Sequence, residues 1–210
     1  MRGCRALDKN EIGLLKEANC RIFTRPIAER NWTMWMVMLT TGIRLGECRM
    51  LRVGDVSVGG HIADTVYLQS RFTKIKKGGN VIRLHPDTQA QLKRWLDFAG
   101  LQQRSDWLFP ATKSGNSQVG HFKTTPITDR AARKLLARLV KDEMHLTGHI
   151  STHSFRKTFA RRMYELLGND IMATSTALRH HELKSTLCYL SVDEDRVQDA
   201  IMQFFDSPAA

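Results

Sequence analysis

No run of apolar residues in this chain is long enough to cross a bilayer. The most apolar stretch, WTMWMVMLT over 32–40, stops well short and reads as a buried helix. The opening residues, MRGCRALDKNE, turn charged before an apolar run develops, so no secretory signal is expected. Cysteine is sparse, and Cys4, Cys20, Cys48 and Cys188 form no CxxC pair and no ligand-spaced cluster. A disulfide framework and a structural zinc site are therefore not indicated, and reduced thiols in a cytoplasmic protein are expected. Acidic residues are also in short supply, 21 against 32 Lys and Arg. No cluster of Asp and Glu is placed to hold two metal ions, which speaks against a metal-dependent nuclease. The chain has no internal repeat and no low-complexity tract.

What is present describes a basic, folded chain. Its 210 residues suit one compact domain, with or without a small appendage. Apolar residues make up 42%, enough for a core, and charged residues 25%, too few for wholesale disorder. The formal charge of +11 and a pI of about 9.9 point to a polyanionic partner, with nucleic acid the first candidate.

In chain order, Asp8 and Glu11 have the spacing of a capping box at the start of LDKNEIGLLKEA. A basic link, RIFTRPIAERN, follows and is expected to be broken by Pro26. Residues 31–40 form a helix in which Trp32, Trp35, Met36 and Leu39 recur at core spacing. Over 53–85 the period changes to strands with a Gly59-Gly60 turn and a basic hairpin, RFTKIKKGGN, carrying Arg71, Lys74, Lys76 and Lys77. Such a hairpin fits a DNA backbone better than a merely solvated edge, given the charge balance. Pro86 and Asp87 open a helix that Gly100 ends, DWLFP is a buried segment, and ATKSGNSQVGHFK, with Lys123, is a polar loop. Thr128 or Asp129 caps the next helix, whose Arg130, Arg133 and Lys134 give it a DNA-facing character. The His153 helix offers Phe155, Phe159, Met163 and Leu166 to the core, and a short helix, DIMATSTALR, follows. Residues 193–206 form a last amphipathic helix. The class is mixed α/β, mainly helical.

The residues that carry chemistry lie in separated stretches. His153 and Arg156 stand three apart on a helix and face the same way. His180 lies in LRHH, and Tyr189 follows nine residues later. Arg44 interrupts an apolar, glycine-containing stretch. It reads equally as an ion pair with Glu47 or as a cation aimed at phosphate and steadied by nearby acids. Cations, proton carriers and an aromatic hydroxyl are the equipment for attacking a phosphodiester.

Three motifs, TGIRLGE over 41–47, HSFR over 153–156 and LRHHELKSTLCY over 178–189, stand in one order. Together they resemble the catalytic domain of the tyrosine recombinases, the lambda integrase family, over residues 7–206. The resemblance implies a mainly helical catalytic domain with a small antiparallel sheet bearing the lysine hairpin, and a C-terminal helix exchanged with a neighbouring subunit. It implies Arg44 and Arg156 on the scissile phosphate, His153 and His180 beside them, Glu47 as the support of Arg44, and Tyr189 as nucleophile. Lys74 matches the catalytic lysine, with Lys76 its rival because the Gly78-Gly79 turn leaves the register open. Arg71, Lys76, Lys77, Lys123, Arg130, Arg133, Lys134 and Arg179 are the expected DNA contacts. The activity implied is site-specific recombination through a 3′-phosphotyrosyl intermediate, with no cofactor and no metal. The partner would be double-stranded DNA with defined sites, and the assembly a tetramer on DNA from a protein monomeric when free. A bacterial or phage setting at the nucleoid is implied, with no membrane association. Two other readings share these residues: a DNA-binding regulator without turnover, and an enzyme of the type IB topoisomerase or telomere resolvase kind. The family usually has glycine where Arg179 stands, and a small polar residue where His181 stands. Leu7 already matches the beginning of the catalytic domain, so a single domain without a separate N-terminal DNA-clamping domain is expected. That is the layout of the short recombinases that invert bacterial promoter segments.

Overall fold

Asp8 and Glu11 close the reciprocal cap that their spacing predicts. The Glu11 N–H donates to Asp8 Oδ1 at 2.8 Å, and the Asp8 N–H donates to Glu11 Oε2 at 3.0 Å. Helix α1 (Lys9–Ile22) therefore starts with orphan donors satisfied. Arg5 grips the same carboxylate at 2.5 and 2.7 Å. That hydrogen-bonded pair holds the Glu11 carboxyl below its ordinary range and raises the Arg5 guanidinium. The computed structural model describes residues 3–68, 80–112, 122–179 and 186, and the chain divides into two compact units, Met1–Phe159 and Ala160–Ala210.

In the first unit, only two residues separate α1 from α2 (Arg25–Thr41), so the expected link over 21–31 shrinks to Phe23 and Thr24. Pro26 lies in the first turn of α2, where its missing N–H would have had no helical partner, and it starts the helix rather than breaking a link. The buried face of α2 is Met34, Trp35, Val37 and Met38, with Trp32 and Leu39 packed at its margin. A polar seam runs beside this face. The buried Arg30 guanidinium donates to the Pro110 carbonyl at 2.9 Å and to Asn31 Oδ1 at 3.0 Å, and burial lowers its pKa to about 10.

After α2 come α3 (Leu45–Cys48), a 3-10 turn over Val53–Asp55, and the antiparallel strands β1 (Ser57–Val58) and β2 (His61–Ile62). Gly59 and Gly60 join those strands with φ of 59° and 82°, the paired positive values that a tight hairpin needs. Strands β3 (Thr65–Leu68) and β4 (Asn80–Arg83) pair antiparallel from Thr65↔Arg83 to Leu68↔Asn80. The stretch that would carry the lysine hairpin lies between them, outside the described residues. Helix α4 (Pro86–Ala99) packs along α2, Trp95 donates to the Leu108 carbonyl at 2.8 Å, and Gly100 ends the helix with φ 66°.

The expected polar loop over 111–123 is partly strand. β5 (Pro110–Thr112) and β6 (Phe122–Pro126) pair antiparallel, and Phe122 meets Trp95 edge-on at 5.5 Å between centroids. The expected small antiparallel sheet structure is present, and among the described residues it consists of three two-stranded pairs. Helix α5 (Asp129–Arg138) continues into a π-helical turn over Leu139–Glu143. Helix α6 (Thr152–Leu166) begins in this unit, and Phe155 lies in the core 6.0 Å from Trp35.

The second unit receives the end of α6 and contains α7 (Ile171–Ala177), capped by Asp170 through a 2.9 Å bond from the Ala173 N–H. Leu166, expected in the core, is 62% exposed. Arg179 follows α7 with φ 56°, the left-handed region that favours glycine, which explains why glycine suits this position. The expected helix over 193–206 lies outside the described residues. No helix among the described residues is long and apolar enough to cross a membrane.

The depressed Glu11 carboxyl predicts a pH-dependent contribution to stability. It is complete above the ordinary carboxylate value of about 4.3 and lost as pH falls through the lower folded value. In thermal unfolding, Glu11→Gln should be less stable than wild type at neutral pH, and the gap should close in acid. A gap of constant size would assign the stabilisation to something other than the charge of Glu11.

Candidate active site

Two turns far apart in sequence build the cleft. The first follows α2, where Gly42 takes φ 64° and its N–H donates back to the Met38 carbonyl at 3.0 Å. A Cβ at Gly42 would run into the ring of Phe159, so both the backbone conformation and the close approach require glycine. Arg44 then caps α3. Its N–H donates to Glu47 Oε2 at 2.8 Å and its Nη1 to Glu47 Oε1 at 3.3 Å. Glu47 is buried, whereas the Arg44 side chain is 37% exposed. Arg44 is thus not the deeply buried cation its apolar flanks suggest. It forms the ion pair and still presents a face to the cleft, so its two readings coexist.

The second turn opens α6. The Ser151 N–H donates to Ser154 Oγ at 3.1 Å, and the His153 N–H to Ser151 Oγ at 3.3 Å. Arg156, one turn further on, is 1% exposed and donates to the Gly42 carbonyl. His153 and Arg156 lie on one side of α6 and line a cleft of about 290 Å³ with Arg44, Glu47, Thr152, Asp129 and Arg133. Burial of the imidazole, then the positive charges of Arg133, Arg156 and Arg44, lower the His153 pKa. Both effects favour the uncharged form of the His153 ring.

Of the residues singled out from sequence, Arg44, Glu47, His153 and Arg156 come together here, and Arg133 joins them. Lys123 lies on β6, and Arg130 and Lys134 lie on α5, all outside the cleft lining. Arg179 belongs to the second unit. Arg71, Lys74, Lys76, Lys77, His180 and Tyr189 lie outside the described residues. Sequence reasoning treated Asp129 only as a cap. Thr128 takes the cap, accepting from the Ala131 N–H at 3.2 Å, and Asp129 forms an ion pair with Arg49, Oδ1 to Nε 2.7 Å, and accepts from Arg133 Nη2 at 3.5 Å. The four-residue step from Asp129 to Arg133 was the available signal. Among the described residues, no group of three or more His, Cys, Asp or Glu could hold a metal ion.

Three guanidiniums and an imidazole line one cleft, and planar N–H forks are of the kind that match phosphate oxygens. The sequence pattern of the phage integrase family matches residues 5–196. The chain belongs to that family. Among relatives in the phage integrase family, the tyrosine recombinase XerC of Oceanobacillus iheyensis is 27% identical over 199 residues, which cover 94% of this chain and 60% of the relative. XerC of Bacillus subtilis is 25% identical over 181 residues, covering 85% and 55%. The chain thus spans little more than half the length of these relatives. A crystal structure of the XerH site-specific recombinase bound to palindromic difH substrate, a post-cleavage complex, superimposes with a TM-score of 0.70 at 20% identity, over 96% of this chain and 53% of that one. The XerA recombinase gives 0.69 at 19% identity, over 98% and 66%. Both recombinase structures share the fold of this chain.

Two outcomes follow for the described part of the site. By NMR, His153 should titrate below the free histidine value of about 6.5. A midpoint at or above that value would contradict the charge arrangement. Gly42→Ala should destabilise the fold by about 2–4 kcal/mol, read by denaturant unfolding, through left-handed strain and the clash with Phe159. A loss under about 1 kcal/mol would show that the turn yields easily.

Proposed function

We propose that this chain supplies the catalytic part of a site-specific DNA recombinase that cuts and rejoins strands through Tyr189. The observation that carries the proposal is the meeting of Arg44, His153 and Arg156 in one cleft, with Glu47 behind Arg44. Arg44 and Arg156 bind the scissile phosphate and stabilise charge on its non-bridging oxygens as the transition state forms. Tyr189 Oη attacks phosphorus, the bond to the 5′ oxygen breaks, and a 3′-phosphotyrosyl link results. A tyrosine hydroxyl has a pKa of about 10, so the attack needs a base and nearby cations. The neutral His153 imidazole accepts the tyrosine proton. Lys74, or Lys76 in the alternative register, gives a proton to the departing 5′ oxygen, and His180 hydrogen-bonds the phosphate. A 5′-hydroxyl from the partner strand then attacks phosphorus and releases Tyr189.

The names of the relatives support this reading, as does the fold shared with a DNA-bound recombinase. The basic residues Arg71, Lys77, Lys123, Arg130, Lys134 and Arg179 contact the DNA backbone in this proposal, and the formal charge of +11 suits that task. Four protomers on two sites make the synapse, with residues 193–206 docked on a neighbouring subunit.

The test is covalent trapping on a suicide DNA half-site, wild type beside Tyr189→Phe. A denaturation-resistant adduct that disappears in the variant supports the proposal. Sequence-specific binding with no adduct from wild type would overturn it in favour of a regulator.

A further inference from the structure

Asp129 and Arg133 form an i,i+4 pair on α5, and both also line the cleft. Thr128 already caps that helix, so the Asp129 carboxylate is free for side chains. Oδ1 stands in an ion pair 2.7 Å from Arg49 Nε, and Oδ2 accepts from Arg133 Nη2 at 3.5 Å. The first contact is short and its arginine is mostly covered, with 29% of the side chain exposed. The second is long, and the Arg133 side chain is 61% exposed. Asp129 is therefore anchored through Arg49, which follows α3 in the chain and so belongs to the turn that carries Arg44. Arg133 is held lightly and lines the same cleft as Arg44, His153 and Arg156.

We propose that Arg133 is a third guanidinium for the scissile phosphate and that Asp129, fixed by Arg49, is its positioning residue. The inference rests on the recombinase reading above and adds to it a cation from α5. A guanidinium has several N–H donors in a fixed fork, and one long bond to Asp129 leaves donors for a phosphate oxygen. Of the three arginine charges acting on His153, that of Arg133 weighs most, which agrees with a place close to the imidazole. Its role is electrostatic. As phosphorus becomes five-coordinate, negative charge grows on the equatorial oxygens, and a cation at the cleft rim gains there relative to the ground state. The Asp129 carboxylate keeps Arg133 on the cleft side of α5. With Arg49 on its other oxygen, that carboxylate does not add an uncompensated negative charge beside the phosphate.

The experiment is single-turnover adduct formation on the suicide half-site at saturating DNA, with DNA affinity measured separately. The variants are Arg133→Ala, Arg133→Lys, Asp129→Asn and, as a charge-matched control on the exposed side of α4, Arg94→Ala. Arg133→Ala should slow cleavage by about 30–100-fold while weakening affinity no more than the control does. Arg133→Lys should recover part of the rate because it keeps the charge without the fork. Asp129→Asn should slow cleavage by about 10-fold with affinity unchanged or raised, since a negative charge leaves the DNA-facing surface. If wild type forms the adduct and Arg133→Ala matches its rate, the inference fails alone. The same holds if Arg133→Ala loses affinity and rate together, as a plain backbone contact would. If wild type forms no adduct, the recombinase reading falls and this inference falls with it.

Discussion

The hydrogen bond from the Arg156 guanidinium to the Gly42 carbonyl joins the two halves of the cleft. Arg156 is almost wholly buried, and Gly42 turns left-handed against Phe159 because no other residue fits there. The chain leaving that turn has no freedom to choose another direction, so Arg44 emerges as the cap of α3 with Glu47 beneath it. The cation that addresses the cleft from α6 is thus also the clamp on the segment that supplies the other cation. A buried arginine needs its donors satisfied, and a backbone carbonyl at a tight turn is a partner that side-chain motion cannot remove.

Much of this was legible in the chain. The Asp8–Glu11 spacing, the paired glycines at 59 and 60 and the Gly100 stop each satisfy a local rule, and local rules can be read without tertiary context. Pro26 was misleading because the same residue breaks a helix interior and starts a helix, and only its neighbours in space decide between the two. Strand β6 was hidden for another reason. Its middle residues, Lys123, Thr124 and Thr125, are all exposed, so the alternation that betrays a half-buried strand is missing. In the cleft, Arg44, His153 and Arg156 stand out as residue types in a recognisable order. Asp129 does not, because its meaning depends on Arg49, a residue on another element that sequence offered no reason to pair with it.

Arg179 shows how a departure from a family preference acquires a cost. Its left-handed backbone follows Leu178, the C-cap of α7, and a residue other than glycine, asparagine or aspartate sits there at a penalty of about 1–2 kcal/mol. The side chain that incurs this penalty is basic, in a chain whose surplus of positive charge already suits a polyanion.

The double grip of Glu47 on Arg44, through both the backbone N–H and the guanidinium, has a thermodynamic consequence. A long side chain loses roughly 2 kcal/mol of rotamer entropy when it is immobilised. Here much of that loss occurs when the chain folds, since the carboxylate is itself buried and cannot follow a wandering partner. In the function proposed here, a phosphate arriving in the cleft would meet an arginine with little disorder left to surrender. More of the interaction energy is then left to distinguish one state of the phosphorus from another.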